Sequence, residues 1–267
     1  MKKKILIVAG DPESINSEII FKSWKQLSKI QKKRIFVIAN FGLLTKQFKR
    51  LNYKIKTQKV KNIDSNTNTY SLKIIDIDLK FKNPFNINRQ SLKKYISKSF
   101  DLAHKNGLNL RKVSGIINCP INKTHLNFNN LGITEYLARK CKVKKNSEVM
   151  LIKNKHLAVT PITTHINIRD ISKKIKRNLI MVKLKSLNTN YKKYFNKKPK
   201  IAILGLNPHN AELKKNSEEN KIIIPIIKKL KKIGLKVSGP FPADTIFIND
   251  HQKYDVIVGM YHDQVLG

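Results

Sequence analysis

Three histidines in this sequence stand just after apolar, strand-like runs. They are His165, His209 and His262, and each follows its run after a short turn-prone or polar step. In open α/β sheets the carboxyl ends of parallel strands line the ligand crevice, so these side chains are expected to converge there. Three imidazoles with an open position are the ligand set of a catalytic divalent metal. The alternative, that each is an ordinary surface or capping histidine, stays open at this point.

Other polar residues lie in loops that are expected to face the same crevice. Asn207, Asp244 and Asp263 each follow or flank an apolar run. A carboxylate at such a place can bind a metal, orient an imidazole or accept a proton. Asp244 is therefore our candidate catalytic residue. We assign no residue to cofactor binding.

Short β-branched runs alternate with longer amphipathic segments along the whole chain. The predicted strands are residues 4–9, 34–39, 114–118, 156–160, 200–204, 235–238 and 255–259. The predicted helices are residues 17–30, 88–106, 134–142, 168–195 and 217–233. This alternation favours an α/β fold with a largely parallel sheet. Residues 58–86 are polar and irregular, which indicates strands and loops at a sheet edge.

The length of 267 residues suits two modest domains. We place the boundary in the loop-rich stretch 120–130, which gives a first α/β domain of residues 1–125 and a second of residues 126–267. The second domain would carry all three of the histidines singled out above.

The charge balance is strongly basic, with 55 Lys and Arg against 17 Asp and Glu and a net charge of +38. Nearly all of the basic residues are lysines spread over every segment, whereas nucleic-acid binding needs a localised face with arginine and aromatic contacts. We therefore predict no nucleic-acid partner. The apolar runs are too short for a membrane span or a signal peptide. The two cysteines form no metal or disulfide pattern, which favours the cytoplasm.

Seven ordered motifs together resemble the 4-hydroxythreonine-4-phosphate dehydrogenase family. They are Gly10-Asp11-Pro12, Pro120-Ile121-Asn122-Lys123, Gly132-Ile133-Thr134-Glu135-Tyr136, Thr163-Thr164-His165-Ile166, Asn207-Pro208-His209, Gly239-Pro240-Phe241-Pro242-Ala243-Asp244-Thr245 and Met260-Tyr261-His262-Asp263-Gln264. The resemblance implies an isocitrate/isopropylmalate-dehydrogenase-like fold, with two α/β domains and a cleft between them.

The resemblance also implies an activity and its site. The family oxidises 4-phosphooxy-L-threonine with NAD or NADP in pyridoxal phosphate biosynthesis, as a cytoplasmic homodimer. Its divalent metal (Zn, Co or Mg) lies at the dimer interface on three histidines, which match His165, His209 and His262. Thr134 matches a substrate-binding residue, whereas Ile133 stands where the family has a histidine that contacts substrate.

The sequence departs from the family at two further places. Ser14 and Asn16 replace glycines of the first loop, and we expect Asn16 to accept left-handed backbone and Ser17 to cap the next helix. The chain ends at Gly267, about sixty residues before family members do, so we expect a fragment or an interrupted product. The alternatives are the same oxidative decarboxylation of a threonate or erythronate phosphate, and an inactive relic.

Overall fold

The structure is a computed structural model that describes residues 3–65, 68, 70–107, 112–122, 124 and 133–266. The chain divides into two compact units, Met1–Asn129 and Asn130–Gly267. The domain boundary expected from the sequence, between residues 125 and 126, lies outside the described residues and stays a prediction. Lys123 and Gly132, which belong to the motifs above, also lie outside the described residues. Each unit is an α/β structure, as the sequence predicted.

The first unit is built on a five-stranded parallel sheet with the strand order β3-β4-β2-β1-β5. Its strands are β1 (Lys4–Val8), β2 (Ile35–Ala39), β3 (Thr57–Val60), β4 (Leu72–Asp76) and β5 (Val113–Asn118). The expectation that residues 58–86 lie at an edge is right for β3 but wrong for β4. That strand is paired on both sides and mostly buried, because Leu72, Ile74 and Ile75 supply its apolar contacts.

Four helices lie between these strands in the described part of the first unit. They are α1 (Asn16–Gln26), α2 (Lys29–Lys32), α3 (Phe41–Arg50) and α4 (Arg89–Gly107). The predicted helix 17–30 is divided in two, because a capping box starts the new helix α2 at Ser28. The Ser28 hydroxyl accepts from the Gln31 backbone N–H, and the Gln31 side-chain oxygen accepts from the Ser28 backbone N–H. The Asn40 side chain caps α3 in a similar way by accepting from Leu43 N at 2.8 Å.

Asn16 ties together the loops that follow β1 and β5. Its Nδ2 donates to the carbonyl oxygens of Ala9 at 2.8 Å, Asp11 at 3.0 Å and Pro120 at 2.7 Å. Asn16 is the first residue of α1, so the expectation of left-handed backbone at this position is wrong. The expected capping by Ser17 is also wrong, because Ile15 occupies the cap position and the helix has no side-chain cap. The amide bonds of Asn16 hold the loop instead.

The second unit contains another five-stranded sheet, with the strand order β6-β7-β10-β8-β9. Its strands are β6 (Ile152–Lys153), β7 (Ala158–Pro161), β8 (Ile201–Leu204), β9 (Val237–Phe241) and β10 (Val256–Gly259). All neighbours are parallel except the short β6, which pairs antiparallel with β7. Strands β7, β8 and β10 are buried along their whole length, as expected of parallel strands covered on both faces.

The helices of the second unit are α5 (Ile133–Lys140), α6 (Ile171–Lys174), α7 (Arg177–Phe195), α8 (Ile224–Lys232), α9 (Ala243–Asn249) and α10 (Asp263–Leu266). A π-helical turn, Glu219–Ile223, leads into α8. The single helix predicted for residues 168–195 is wrong. Ile175 adopts extended backbone and is 1% exposed, so its burial in the core interrupts the helix between α6 and α7.

Two expectations from the sequence concern membrane-spanning helices and the two cysteines. In the described part of the chain, no helix is long and apolar enough to cross a membrane. Cys119 is buried, Cys141 is exposed, and both are free thiols, which agrees with the absence of a disulfide pattern in the sequence.

Lys73 on β4 is an unusual residue for the interior of the first unit, because its side chain is charged in water and yet fully buried here. Its Nζ lies 5.2 Å from the centre of the Phe36 ring and 6.0 Å from that of Trp24. The Lys32 carbonyl oxygen accepts a hydrogen bond from it. Burial, with a further contribution from the charge of Lys4, lowers the pKa of Lys73 to about 8.

Replacing Lys73 with Met should therefore stabilise the protein near neutral pH. The unfolded chain keeps an ordinary lysine, so it binds more protons than the folded chain between about pH 8 and pH 10.5, and wild-type stability rises with pH across that interval. We expect Lys73→Met to raise the free energy of unfolding by roughly 1 kcal/mol near pH 7 and to remove this rise. Urea unfolding at neutral and alkaline pH measures both effects.

The matched control is Lys56→Met, which removes the same charge from an exposed position next to β3. It should leave the pH dependence between pH 8 and pH 10.5 as in the wild type. A Lys73→Met protein that kept the wild-type slope would show that Lys73 is charged in the folded state.

Candidate functional site

The three histidines singled out from the sequence follow three neighbouring strands of the second sheet. His165 comes after β7, His262 after the central strand β10, and His209 after β8. The three strands are parallel, so their carboxyl ends lie at one edge of the sheet. The structure thus places all three histidines in the loops of a single sheet edge.

Met260, which directly follows β10, is bonded to the loop after β7 and, through Gln264, to the end of β8. Its carbonyl oxygen accepts from Thr163 N at 3.1 Å and from Thr163 Oγ1 at 2.7 Å. Its N–H donates to Gln264 Oε1 at 2.7 Å, while Gln264 Nε2 donates to the Gly205 carbonyl oxygen at 2.7 Å. The ends of β7, β10 and β8 are therefore fixed to one another by side-chain hydrogen bonds.

His165 and His262 are brought together at this edge. Their ring centres are 6.2 Å apart and the planes are inclined by 36°. With metal–nitrogen bonds of about 2.1 Å, two imidazoles on one ion have ring centres roughly 5–6 Å apart, so this pair lies close to the spacing needed. His262 Nδ1 lies 2.7 Å from Asp263 Oδ1, a bond that orients the ring and leaves Nε2 available.

His209 is not grouped with the other two. It is exposed, lies in the 3₁₀ segment Pro208–Leu213 and has a φ of +50°. Asn210 next to it has a φ of +56°, and its Oδ1 fills the space beside Gly205, where a Cβ would lie only 2.0 Å away. Among the described residues no group of three His, Cys, Asp or Glu is close enough to hold one ion. The three-histidine metal site stays a prediction.

The loop that carries His209 is anchored by Glu219, which is fully buried. Its Oε1 accepts from Leu206 N at 2.8 Å and Asn207 N at 2.9 Å, and its Oε2 accepts from Asn207 Nδ2 at 3.0 Å. Burial acts to raise the pKa of Glu219, but the hydrogen bonds from Asn207 and Leu206 outweigh it and leave the pKa below its usual value. Asn207, a candidate site residue, thus has a structural partner.

A second carboxylate, Glu135 on α5, lies beside His165. Thr164 Oγ1 donates to Glu135 Oε1 at 2.5 Å. Its Oε2 is buried and has no hydrogen-bond partner in the part of the chain that the structure describes. Burial acts to raise the pKa of Glu135, but the hydrogen bonds from Thr164 and from its own backbone N–H, with His165 and Lys183 nearby, bring it below its usual value.

Glu135 and His165 line the same open cavity of about 210 Å³. Lys183 also lines it and pairs with Glu148, its Nζ lying 2.6 Å from the Glu148 carbonyl oxygen and 3.4 Å from Oε1. The cavity lining also includes Asn146, Thr164 and Lys174. It combines carboxylates, ammonium groups and one of the paired histidines, which suits a small ligand with charges of both signs.

The other candidate residues lie elsewhere in the unit. Thr134, next to Glu135 on α5, lines a different, more apolar groove of about 410 Å³ with Leu137 and Tyr191. Ile133 is the first, half-buried residue of α5, and Asp244 is exposed at the second position of α9. The roles expected of Thr134 and Asp244 stay predictions.

Comparison with known proteins supplies the class and then the family. A curated 4-hydroxythreonine-4-phosphate dehydrogenase of Sulfurihydrogenibium sp. is 33% identical over 273 residues, covering 98% of this chain and 81% of the relative. A putative D-threonate 4-phosphate dehydrogenase of Oceanobacillus iheyensis is 29% identical, with 98% and 81% covered. A crystal structure of 4-hydroxythreonine-4-phosphate dehydrogenase from Klebsiella pneumoniae superposes with a TM-score of 0.85 at 25% identity, covering 98% and 82%.

The fold and these relatives place the chain among the two-domain α/β dehydrogenases, which are oxidoreductases. The family model for Pyridoxal phosphate biosynthetic protein PdxA matches residues 31–267. The chain belongs to that family, and the resemblance seen in its seven motifs is confirmed.

Gln264 should be required for the strand ends to keep their positions. Gln264→Leu leaves the Met260 N–H and the Gly205 carbonyl without their side-chain partner, so we expect a loss of about 1–3 kcal/mol in the free energy of unfolding. Chemical denaturation measures this loss. Gln252→Leu, the same replacement at an exposed position, should cost less than about 0.5 kcal/mol. Equal losses in the two variants would contradict a bridging role for Gln264.

Proposed function

We propose that this chain oxidises 4-phosphooxy-L-threonine with NAD or NADP in pyridoxine 5'-phosphate biosynthesis. The product, 2-amino-3-oxo-4-phosphooxybutanoate, then loses carbon dioxide and yields 3-amino-2-oxopropyl phosphate. Membership of the family supports the reaction class. The observation that carries the proposal is the placement of His165, His262 and His209 after three neighbouring parallel strands.

The donor set at this edge fits a divalent metal such as Zn²⁺, Co²⁺ or Mg²⁺. His165 and His262 lie near the spacing of two ligands of one ion, and Asp263 orients His262 as the outer carboxylate of a histidine ligand does. His209 is the proposed third ligand. When bound, such an ion lowers the pKa of the substrate hydroxyl and stabilises the developing negative charge on its oxygen.

A homodimer with the metal site at its interface accompanies this proposal. One chain brings two of the three imidazoles together, while His209 lies exposed on its own loop. A second copy of the chain therefore offers a way to complete a three-histidine site. Light scattering of the purified protein, with and without divalent metal, measures the association directly.

The remaining steps fall to residues of the chain itself. The bonds of Met260 to Thr163 and Gln264 hold the histidine loops in register, which limits the motion of groups around the reacting carbon. Asp244 is the proposed proton acceptor, and its exposure on α9 leaves its carboxylate open to a substrate. Thr134 is the proposed substrate contact on α5.

A second candidate substrate is threonate 4-phosphate or erythronate 4-phosphate. Ile133 cannot donate the hydrogen bond that the family's histidine gives, and the D-threonate 4-phosphate dehydrogenase relative is nearly as similar as the others. Loss of one partner of a polar contact costs about 1–3 kcal/mol, enough to change which acid phosphate is preferred. Competition between the two substrates in one assay decides between them.

The principal test is nicotinamide reduction with 4-phosphooxy-L-threonine. We expect turnover that a chelator abolishes and that added Zn²⁺ or Co²⁺ restores. His262→Ala should lower kcat/KM at least roughly 100-fold, because it removes one of the paired imidazoles. His156→Ala, at an exposed histidine before β7, is the control and should behave as the wild type. Turnover that survives both chelation and His262→Ala would rule out the metal-dependent mechanism.

A further inference from the structure

Only one of the two carboxylate oxygens of Glu135 has a hydrogen-bond partner among the described residues. One oxygen accepts from Thr164 Oγ1, whereas the other is buried and has no partner in the described part of the chain. Glu148, on the wall of the same cavity, differs because Lys183 pairs with it. A buried carboxylate oxygen without a donor is unfavourable, so Glu135 is expected to gain free energy from a cationic ligand group.

The ligand of the proposed reaction contains one such group. 4-Phosphooxy-L-threonine bears its ammonium on the carbon next to the one that carries the reacting hydroxyl. Glu135 and His165 line one cavity, and Thr164 joins them through its hydrogen bond and its place in the chain. A hydroxyl held near His165 therefore brings the neighbouring ammonium toward Glu135.

We propose that Glu135 binds the substrate ammonium and so selects amino-acid phosphates over hydroxy-acid phosphates. The proposal deepens the proposed function and rests on it for the identity of the substrate. Glu135 is a specificity-determining residue in this view. Its carboxylate accepts a charge-assisted hydrogen bond from the ammonium, and such a bond is stronger than one between neutral groups.

The surroundings of Glu135 support this selectivity. Thr164 fixes one oxygen, which leaves the other for the ligand. Lys174 and Lys183 line the same cavity and provide positive charge for the acid groups of a substrate. Neighbouring atoms cover Oε2, so the Glu135 side chain has to shift slightly when the ligand binds. The hydrogen bond that Oε2 then gains from the ligand favours this shift.

The test compares two ligands that differ only at the carbon that bears the ammonium. They are 4-phosphooxy-L-threonine and its 2-hydroxy counterpart, threonate 4-phosphate. Dissociation constants are measured by calorimetry without nicotinamide cofactor, so that no turnover is needed. Glu135→Gln keeps an oxygen that can accept from Thr164 and removes the charge. We expect it to weaken binding of the amino ligand about 10- to 100-fold and of the hydroxy ligand less than about threefold.

The matched control is Glu148→Gln, which makes the same change of charge in the same cavity at a carboxylate already paired with Lys183. It should leave the ratio of the two dissociation constants as in the wild type. The affinity of Glu135→Gln for Co²⁺ alone, measured by its absorption spectrum, should also stay within about threefold of the wild type.

Several outcomes would overturn the proposal. Equal weakening of both ligands would assign Glu135 a structural role, and a lost Co²⁺ spectrum would assign it to the metal. A wild-type chain that binds neither ligand, or prefers the hydroxy ligand, would also exclude it. Failure of the proposed function looks different: the wild type would bind the amino ligand in a Glu135-dependent way and reduce no nicotinamide.

Discussion

The hydrogen bonds of Met260 are the constraint on which the second unit's site depends. Backbone pairing between β7 and β10 continues only as far as the bond from Thr163 N to the Met260 carbonyl oxygen, so the loops beyond need other partners. Thr163 and Gln264 extend the connection past β7, β10 and β8 by bonding to Met260 and Gly205. Each histidine then begins its loop from a fixed point. His165 and His262, far apart in the sequence, thus begin their loops from neighbouring fixed points and lie with ring centres 6.2 Å apart.

Two carboxylates, the fully buried Glu219 and the partly buried Glu135, show how the same chemical group serves two purposes. Glu219 is saturated by donors from Leu206 and Asn207, and it acts as an internal anchor for a loop. The Oε1 of Glu135 accepts from Thr164, whereas its Oε2 has no hydrogen-bond partner among the described residues. The low dielectric of the interior strengthens bonds to either group. Saturation makes the first a structural element, and incompleteness makes the second a candidate for ligand binding.

Much of this architecture could be predicted from the sequence, since β-branched runs and amphipathic segments follow local rules. The placement of the three histidines at one sheet edge also followed from strand endings alone. Other features depended on packing that no local pattern records. Ile175 breaks a helix because the core takes its side chain, and β4 lies inside the sheet although it contains Lys73. Glu135 was visible only as a motif member, because its significance arises from Thr164, far away in the sequence.

The contact between Gly205 and Asn210 couples the substitutions that these two positions can tolerate. Asn210 occupies the space that any larger residue at position 205 would need. A residue larger than glycine at position 205 therefore has to be accompanied by a displacement or replacement of the Asn210 side chain. Positions 205 and 210 therefore cannot be varied independently in designed variants of this loop.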